Sequence, residues 1–157
     1  MKFKLLLLPL IALLLAGCSL VIGGRSGFIR TFAPTGGRGS VYYLGQQVRF
    51  VLTVSRPGYV TLVSLNPGGY SNVLVRNAYV PAGTTYFPRS PYVHYTITPP
   101  TGLQRVRAIF TTVVQRPNLA LYGQYSFPGW QNRTDLYLQS YPVRVRALAQ
   151  TYFYIQP

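Results

Sequence analysis

Apolar and polar residues alternate along several short stretches of the chain, with the period of two that is typical of half-buried β-strands. A strand is predicted over residues 41–54, most clearly in its second half, where every second residue is apolar: Val48, Phe50, Leu52 and Val54. Residues 92–98 alternate in the same way. Residues 59–65 are apolar on both faces, which indicates a central strand covered on both sides.

A longer strand is predicted over residues 104–114, where the alternation sorts the side chains onto two faces. One face carries Val106, Ala108, Phe110 and Thr112, and the other carries Arg105, Arg107, Ile109 and Thr111. Residues 143–155 are predicted to close the domain as one or two strands, with Arg144 and Arg146 on one face.

The remaining segments are less regular. Short strands are predicted over residues 28–32 and 73–75, and residues 77–88 are interpreted as a loose connection. Residues 116–133 are interpreted as irregular because they are rich in glycine, proline and aromatic residues. A short helix is predicted over residues 136–140, because Thr134 and Asp135 are residues that can cap free backbone N–H groups.

Turn sequences separate the predicted strands. They are Arg56-Pro57-Gly58, Asn66-Pro67-Gly68-Gly69 and Pro99-Pro100-Thr101-Gly102. Residues 34–40 are also interpreted as a turn, since their glycines are not followed by the Gly-Lys-Ser/Thr of a phosphate-binding loop. Short strands with turns every 8 to 12 residues or so predict an all-β fold, a single antiparallel β-sandwich that is Ig-like in general shape.

The amino-terminal residues have the order of a lipoprotein signal peptide. Met1 to Lys4 form a cationic start, and the apolar run over residues 5–15 is too short to cross about 30 Å of hydrocarbon. The run ends in a lipobox, Leu15-Ala16-Gly17, followed by the chain's single cysteine, Cys18. We expect a signal peptide over residues 1–17, a diacylglycerol on Cys18, a flexible tether over residues 18–27 and one domain over residues 28–157.

The predicted anchor also indicates a location. Ser19 is not the aspartate that retains many lipoproteins in the inner membrane, so the sequence favours the outer membrane, on either its periplasmic or its surface face. The alternative is an ordinary secretory signal in which Cys18 is incidental.

Charge is strongly unbalanced in the expected mature chain. Removing residues 1–17 from the 157 leaves 140 residues with 13 arginines, no lysine and one acidic residue, Asp135, for a formal charge of +12. Such an excess favours anionic partners, and arginine in particular suits forked hydrogen bonds to carboxylate or phosphate. The alternative is a coding bias towards arginine codons. With Cys18 acylated, no disulfide is possible, so stability must come from packing.

The inventory of reactive side chains argues against catalysis. Asp135 is the only acidic residue, so a hydrolase with two carboxylates is excluded. His94 and Asp135 cannot complete a zinc site, and we expect no metal and no cofactor. A Ser/His/Asp triad would have to use His94 and Asp135, and no Gly-x-Ser-x-Gly motif accompanies them. We therefore expect a non-catalytic binding protein, with a hydrolase as the weakest of the alternatives.

The candidate binding residues are arginines on predicted strands. If their strands are neighbours, these arginines form a ladder of like charges that needs an anionic partner; the residues are Arg49, Arg105, Arg107, Arg144 and Arg146. The partner expected is an anionic envelope polymer or an envelope protein, and nucleic acid is disfavoured because an exported lipoprotein rarely meets it. Two alternatives stay open: scattered, solvated arginines, or a structural subunit of an outer-membrane or surface-layer complex.

Several short motifs resemble a bacterial family. They are Tyr-x-x-Gly at residues 42–45, Gly-Tyr-Val-x-Leu at 58–62, Asn-Pro-x-Gly at 66–69, Arg-Asn at 76–77, a small-Gly turn at 81–83 and Pro-x-Gly before a strand at 100–108. In this order they resemble the domain of unknown function numbered 4384, which is found in secreted and lipid-anchored envelope proteins. The resemblance covers about residues 28–112 and implies a fold and a location. Because the family has no established activity, it implies no mechanism.

Overall fold

The computed structural model describes residues 27–116 and 119–157. The strands are β1 (Ile29–Pro34), β2 (Val41–Tyr43), β3 (Gln47–Val48), β4 (Phe50–Val54), β5 (Gly58–Leu65), β6 (Tyr70–Val80), β7 (Gly83–Phe87), β8 (Tyr95–Thr96), β9 (Gly102–Thr111), β10 (Gly123–Gln124) and β11 (Arg146–Gln156). A helix, α1 (Phe127–Gln139), and a short 3-10 helix (Val143–Val145) precede β11. The predicted signal peptide, Cys18 and all of the tether except Gly27 lie outside the described residues.

Two sheets face each other and enclose the main core. The smaller sheet has the order β1-β4-β7, and the larger has the order β10-β6-β5-β9-β11-β2, in which only β11 and β2 pair in parallel. Large apolar side chains of both sheets meet between them, among them Phe50, Leu52, Leu62, Phe110 and Phe153. The all-β sandwich predicted from the alternation is confirmed, and β4 buries every second residue as expected.

Helix α1 covers part of the outer face of the larger sheet and creates a second core. Trp130, Tyr137 and Leu138 of the helix pack with Val63, Leu65, Ile109 and Leu148 of the sheet. This layer explains why β5 is apolar on both faces, since one face contacts the smaller sheet and the other contacts the helix. The outer-face residues of β5, β9 and β11 beneath the helix are therefore buried.

The predicted helix exists, but it begins at Phe127 and not at Leu136. Ser126 is its N-cap and accepts a hydrogen bond from the Gly129 N–H, and Pro128 occupies the first turn, where its missing N–H has no cost. Thr134 and Asp135 lie in the middle of the helix. The prediction that they cap the helix is therefore wrong. The true cap, Ser126, is hard to recognise in the sequence because it lies in a stretch whose glycines and prolines favour an irregular interpretation.

Two further predictions about elements are wrong. The loose connection over residues 77–88 is instead the end of β6 and all of β7. Register shifts between β5 and β6 around Leu62, and a positive φ of 48° at Asn77, disturb the period of two along β6 and hide it from sequence inspection. Residues 41–54 form three short strands in place of one. Gly45, with a φ of 85°, turns the chain between β2 and β3, and Arg49 separates β3 from β4.

The strand predicted over residues 92–98 is reduced to β8, which pairs with β3. The hairpin predicted at Asn66–Gly69 is present, and the Asn66 side chain accepts a hydrogen bond from the Tyr70 N–H at 2.8 Å. Of the helices in the described part of the chain, none combines the length and apolar character that crossing a bilayer requires.

Candidate functional site: an arginine-rich surface with two clefts

The structure separates the five candidate arginines. Strands β9 and β11 are antiparallel neighbours, as the ladder hypothesis required, but Arg105 and Arg107 lie opposite Tyr152 and Gln150, and Arg146 lies opposite Thr111. Arg144 is exposed in the 3-10 helix, and Arg49 precedes β4 of the other sheet. No continuous arginine ladder is formed, because no two of these arginines are cross-strand partners.

Arg107 is not a surface residue. Its side chain is 4% exposed and lies beneath α1, so the expectation that it faces outward is wrong. Its Nη1 donates to the Asp135 carboxylate at 2.8 Å, to the Thr134 hydroxyl at 2.5 Å and to the Gln131 carbonyl at 3.1 Å. Its Nε donates to the Gln150 side chain at 2.8 Å, and the guanidinium lies 5.3 Å from the centre of the Trp130 ring.

These contacts give Arg107 a structural role. Desolvation lowers the pKa of this guanidinium, and the neighbouring Asp135 carboxylate opposes that shift. Asp135 is the only acidic residue of the chain, and its carboxylate is paired with Arg107. Arg146 is likewise turned towards the helix, where it donates to the Leu138 carbonyl at 2.8 Å.

Arg105 keeps an accessible position beside the helix. It is half-buried, its guanidinium lies 4.1 Å from the centre of the Phe127 ring, and it faces Tyr152 across the sheet. Arg38, which the sequence did not single out, lies over the same Tyr152, with its guanidinium 4.9 Å from the centre of the ring. Tyr154 packs edge-on against Tyr152 at 5.9 Å and is exposed.

We call this surface the basic–aromatic face and define it by Arg38, Tyr43, Arg105, Tyr152 and Tyr154. Tyr43 belongs to it because the parallel pairing of β2 with β11 aligns Tyr43 with Gln156, two residues beyond Tyr154 on the same side of the sheet. The face lies on the part of the larger sheet that α1 leaves open. It combines two cations with three aromatic rings.

The glycine-rich turn over residues 34–40 holds Arg38 in place. Gly37 and Gly39, on either side of Arg38, have φ values of 94° and 80°, which L-residues with a side chain rarely adopt. The Gly39 N–H donates to the Tyr152 carbonyl at 2.9 Å, which fixes the turn to β11. The turn prediction is confirmed, but only the fold could show that the arginine between the glycines meets Tyr152.

Arg49 contributes to a second basic region, which we call the basic groove. This groove has a volume of about 320 Å³, and its cationic lining residues are Arg49 and Arg89, with His94 beside them. Arg49 lies 5.4 Å from the centre of the Tyr86 ring, and Arg89 donates to the Tyr79 carbonyl at 2.6 Å. His94 is exposed in the loop before β8 and does not alternate within a strand as expected.

A second cleft is lined by residues of both sheets and of the β3–β8 pair. It has a volume of about 250 Å³, lies between the two sheets and shares Val48 and Tyr95 with the basic groove as common lining residues. Burial raises the pKa of Tyr95 to about 12, and the Tyr95 hydroxyl donates to the Leu74 carbonyl at 3.3 Å. We call it the neutral cleft, because none of the described residues that line it is charged.

The fold and these surfaces define the chain as an all-β sandwich domain with a helix on one outer face and an arginine-rich surface. Residues 41–113 match the family described as a domain of unknown function (DUF4384), and this part of the chain belongs to that family. The family resemblance seen in the motifs is thereby confirmed. No curated protein and no solved structure matches the chain.

Proposed function

We propose that the protein is a non-catalytic lipoprotein of the cell envelope, held in the outer membrane by Cys18, whose β-sandwich docks on an anionic envelope polymer. The anchor is supported by the order of the amino-terminal residues, ending in Leu15-Ala16-Gly17-Cys18. The docking is supported by the side chains that the fold leaves on the surface.

The observation that carries the docking proposal is that the single side-chain carboxylate, Asp135, is paired with a buried arginine. Asp135 is bonded to the buried Arg107, so the exposed arginines have no side-chain carboxylate with which to pair. The mutual repulsion of these arginines raises the electrostatic free energy of the unbound protein, and binding of an anion lowers it. An extended polymer fits this surface better than a small ion, because the arginines are distributed over two regions, the basic–aromatic face and the basic groove.

The basic–aromatic face suits acidic sugars in particular. Arg38 and Arg105 lie over aromatic rings, which restrains each guanidinium and leaves N–H groups for forked hydrogen bonds to a carboxylate or phosphate. The exposed Tyr43 and Tyr154 rings offer apolar surface to the C–H faces of sugar rings. A polymer of acidic sugars therefore matches both the charge and the rings of this face.

Replacing Arg38 and Arg105 together with glutamine should weaken binding of the full-length protein to polygalacturonate by about tenfold, since each exposed charge pair contributes up to about 1 kcal/mol. Binding is measured by co-sedimentation with the polymer, using protein reconstituted in zwitterionic vesicles. Raised salt should weaken binding by the unmodified protein because exposed charges are screened.

The matched control removes two exposed arginines from elsewhere, as Arg30→Gln with Arg56→Gln. This variant should bind within about twofold of the unmodified protein. An equal loss in both double variants would mean that net charge alone attracts the polymer, and binding that does not respond to salt would contradict docking through arginines.

The anchor is tested separately by Cys18→Ala. We expect the unmodified protein to remain with membranes and its amino-terminal peptide to carry the mass of a diacylglycerol. The Cys18→Ala protein should leave the membrane fraction after a salt wash. An unmodified cysteine in membrane-associated protein would overturn the anchor while leaving the docking proposal to its own test.

A second candidate function is a structural subunit of an outer-membrane or surface-layer complex. It is favoured by exposed tyrosines outside the basic–aromatic face, namely Tyr70, Tyr79, Tyr86, Tyr92 and Tyr122. Such side chains are enriched in protein–protein interfaces. If the unmodified protein does not bind the polymer, this candidate is favoured over docking on a polymer.

A further inference from the structure

We propose that the neutral cleft is a binding site for a single neutral sugar residue, in addition to the anionic docking surface. The cleft lies between Phe50 of the smaller sheet and Phe153 of the larger sheet, beside Val48 of β3 and Tyr95 of β8. Inner-face positions there are polar: Asn72 on β6, Ser64 on β5 and Gln104 on β9. Towards the other end of the same strands, the inner face carries Val60, Leu62 and Phe110.

The amides in this cleft are available to a ligand. In the described part of the chain, the side-chain amides of Asn72 and Gln104 make no hydrogen bond to another residue. Each amide offers an acceptor and two donors, which suits the adjacent hydroxyls of a sugar ring. Ser64 and Asn72 are register partners on neighbouring strands, so their positions relative to each other are fixed by the sheet.

The rest of the wall is apolar and aromatic. Phe50 and Phe153 line the cleft from the two opposite sheets, and Tyr95 closes it on the side of the basic groove. These side chains belong to the main core or pack against it, so the wall is preformed. A sugar ring presents C–H groups on one face and hydroxyls at its rim, which matches an apolar wall beside free amides.

The neutral, partly polar lining of the cleft disfavours ions and acyl chains. An anion or cation would be desolvated in a cleft that offers no opposite charge, which is unfavourable. An acyl chain would cover the amides of Asn72 and Gln104 without satisfying their hydrogen bonds, which is also unfavourable. A volume of about 250 Å³ is enough for one monosaccharide ring.

The test uses saturation-transfer NMR on the full-length protein, in a detergent without a sugar headgroup. The probes are the methyl glycosides of glucose, galactose, mannose and N-acetylglucosamine at millimolar concentration, with hexanol as an apolar probe and glucuronate as an anionic one. We expect at least one neutral glycoside to receive saturation, most strongly at the C–H protons of one ring face.

Asn72→Leu and Gln104→Leu should each weaken that binding by about tenfold, because each removes hydrogen bonds to sugar hydroxyls. Asn132→Leu is the matched control, since Asn132 is exposed on α1 and outside the cleft, and it should bind as the unmodified protein does. Thermal unfolding of each variant verifies that it is folded, and two separate cleft variants guard against the failure of one.

The result is independent of the anionic docking. Binding of a neutral glycoside should not change at raised salt, whereas docking on polygalacturonate should weaken, so either can fail alone. The inference is overturned if none of the four glycosides receives saturation, if both leucine variants bind the glycoside as the control does, or if hexanol binds the unmodified protein more tightly than every glycoside and competes with them.

Discussion

Replacing Trp130 with alanine is expected to lower the free energy of unfolding by about 4 kcal/mol. Trp130 is 1% exposed and fills the space between α1 and the larger sheet. Its indole N–H donates to the Ser71 hydroxyl at 3.1 Å, and that hydroxyl donates to the Leu121 carbonyl at 2.5 Å. Truncation leaves a cavity in the second core and removes one of the two hydrogen bonds of the Ser71 hydroxyl. Urea unfolding followed by far-ultraviolet circular dichroism measures the change.

Tyr92→Ala is the control for this prediction. Tyr92 is 91% exposed, so its removal should change the free energy of unfolding by less than about 0.5 kcal/mol. If Trp130→Ala costs as little as Tyr92→Ala, then α1 does not pack on the sheet as described.

Replacing Asp135 with asparagine is expected to lower the free energy of unfolding by about 2 kcal/mol. The substitution leaves the Arg107 guanidinium buried with no carboxylate partner, and the chain has no other acidic side chain that could replace it. The cost is below that of a fully buried pair because the Asp135 side chain is 46% exposed. The same urea measurement gives the value.

A double-mutant cycle separates charge from shape. Arg107→Met removes the buried charge, keeps an apolar side chain of similar length and leaves Asp135 able to hydrate, so it should cost less than Asp135→Asn. The variant with both substitutions should be about as stable as Arg107→Met alone. Equal, additive costs for the two single substitutions would contradict a stabilising ion pair.

These stability predictions also assign different roles to two arginines that look equivalent in the sequence. Arg105 and Arg107 lie on the same face of β9, two residues apart. The sequence therefore grouped them as ligand-binding residues. Helix α1 lies over Arg107, whereas Arg105 lies beside the helix at Phe127, and only Arg105 remains available to an anion.

The alternation of apolar residues determined the sandwich. Strand β4 buries every second residue, and β5 is buried on both faces, as the pattern indicated. The glycine and proline turns fixed where the strands end, and the ordered motifs indicated the family. These features depend on residues that are close together in the chain or on the period with which apolar residues recur. They can therefore be recognised without coordinates.

The helix, the length of β6 and the two clefts depended on the tertiary structure. The start of α1 is hidden because its capping serine lies among glycines, prolines and aromatic residues, and β6 is hidden because register shifts around Leu62 disturb its period. Arg38 and Tyr152 are far apart in the chain and meet because the turn before β2, like β2 itself, is hydrogen-bonded to β11.

The sequence by itself determined that this chain is a strand-rich sandwich with one acidic residue among many arginines. Only the tertiary structure decided which arginine receives that single carboxylate and which arginines remain on the surface. The physical reason is that alternation assigns a side chain to a face of a sheet, whereas burial depends on what covers that face. The cover over Arg107 comes from α1, a segment about twenty residues further along the chain.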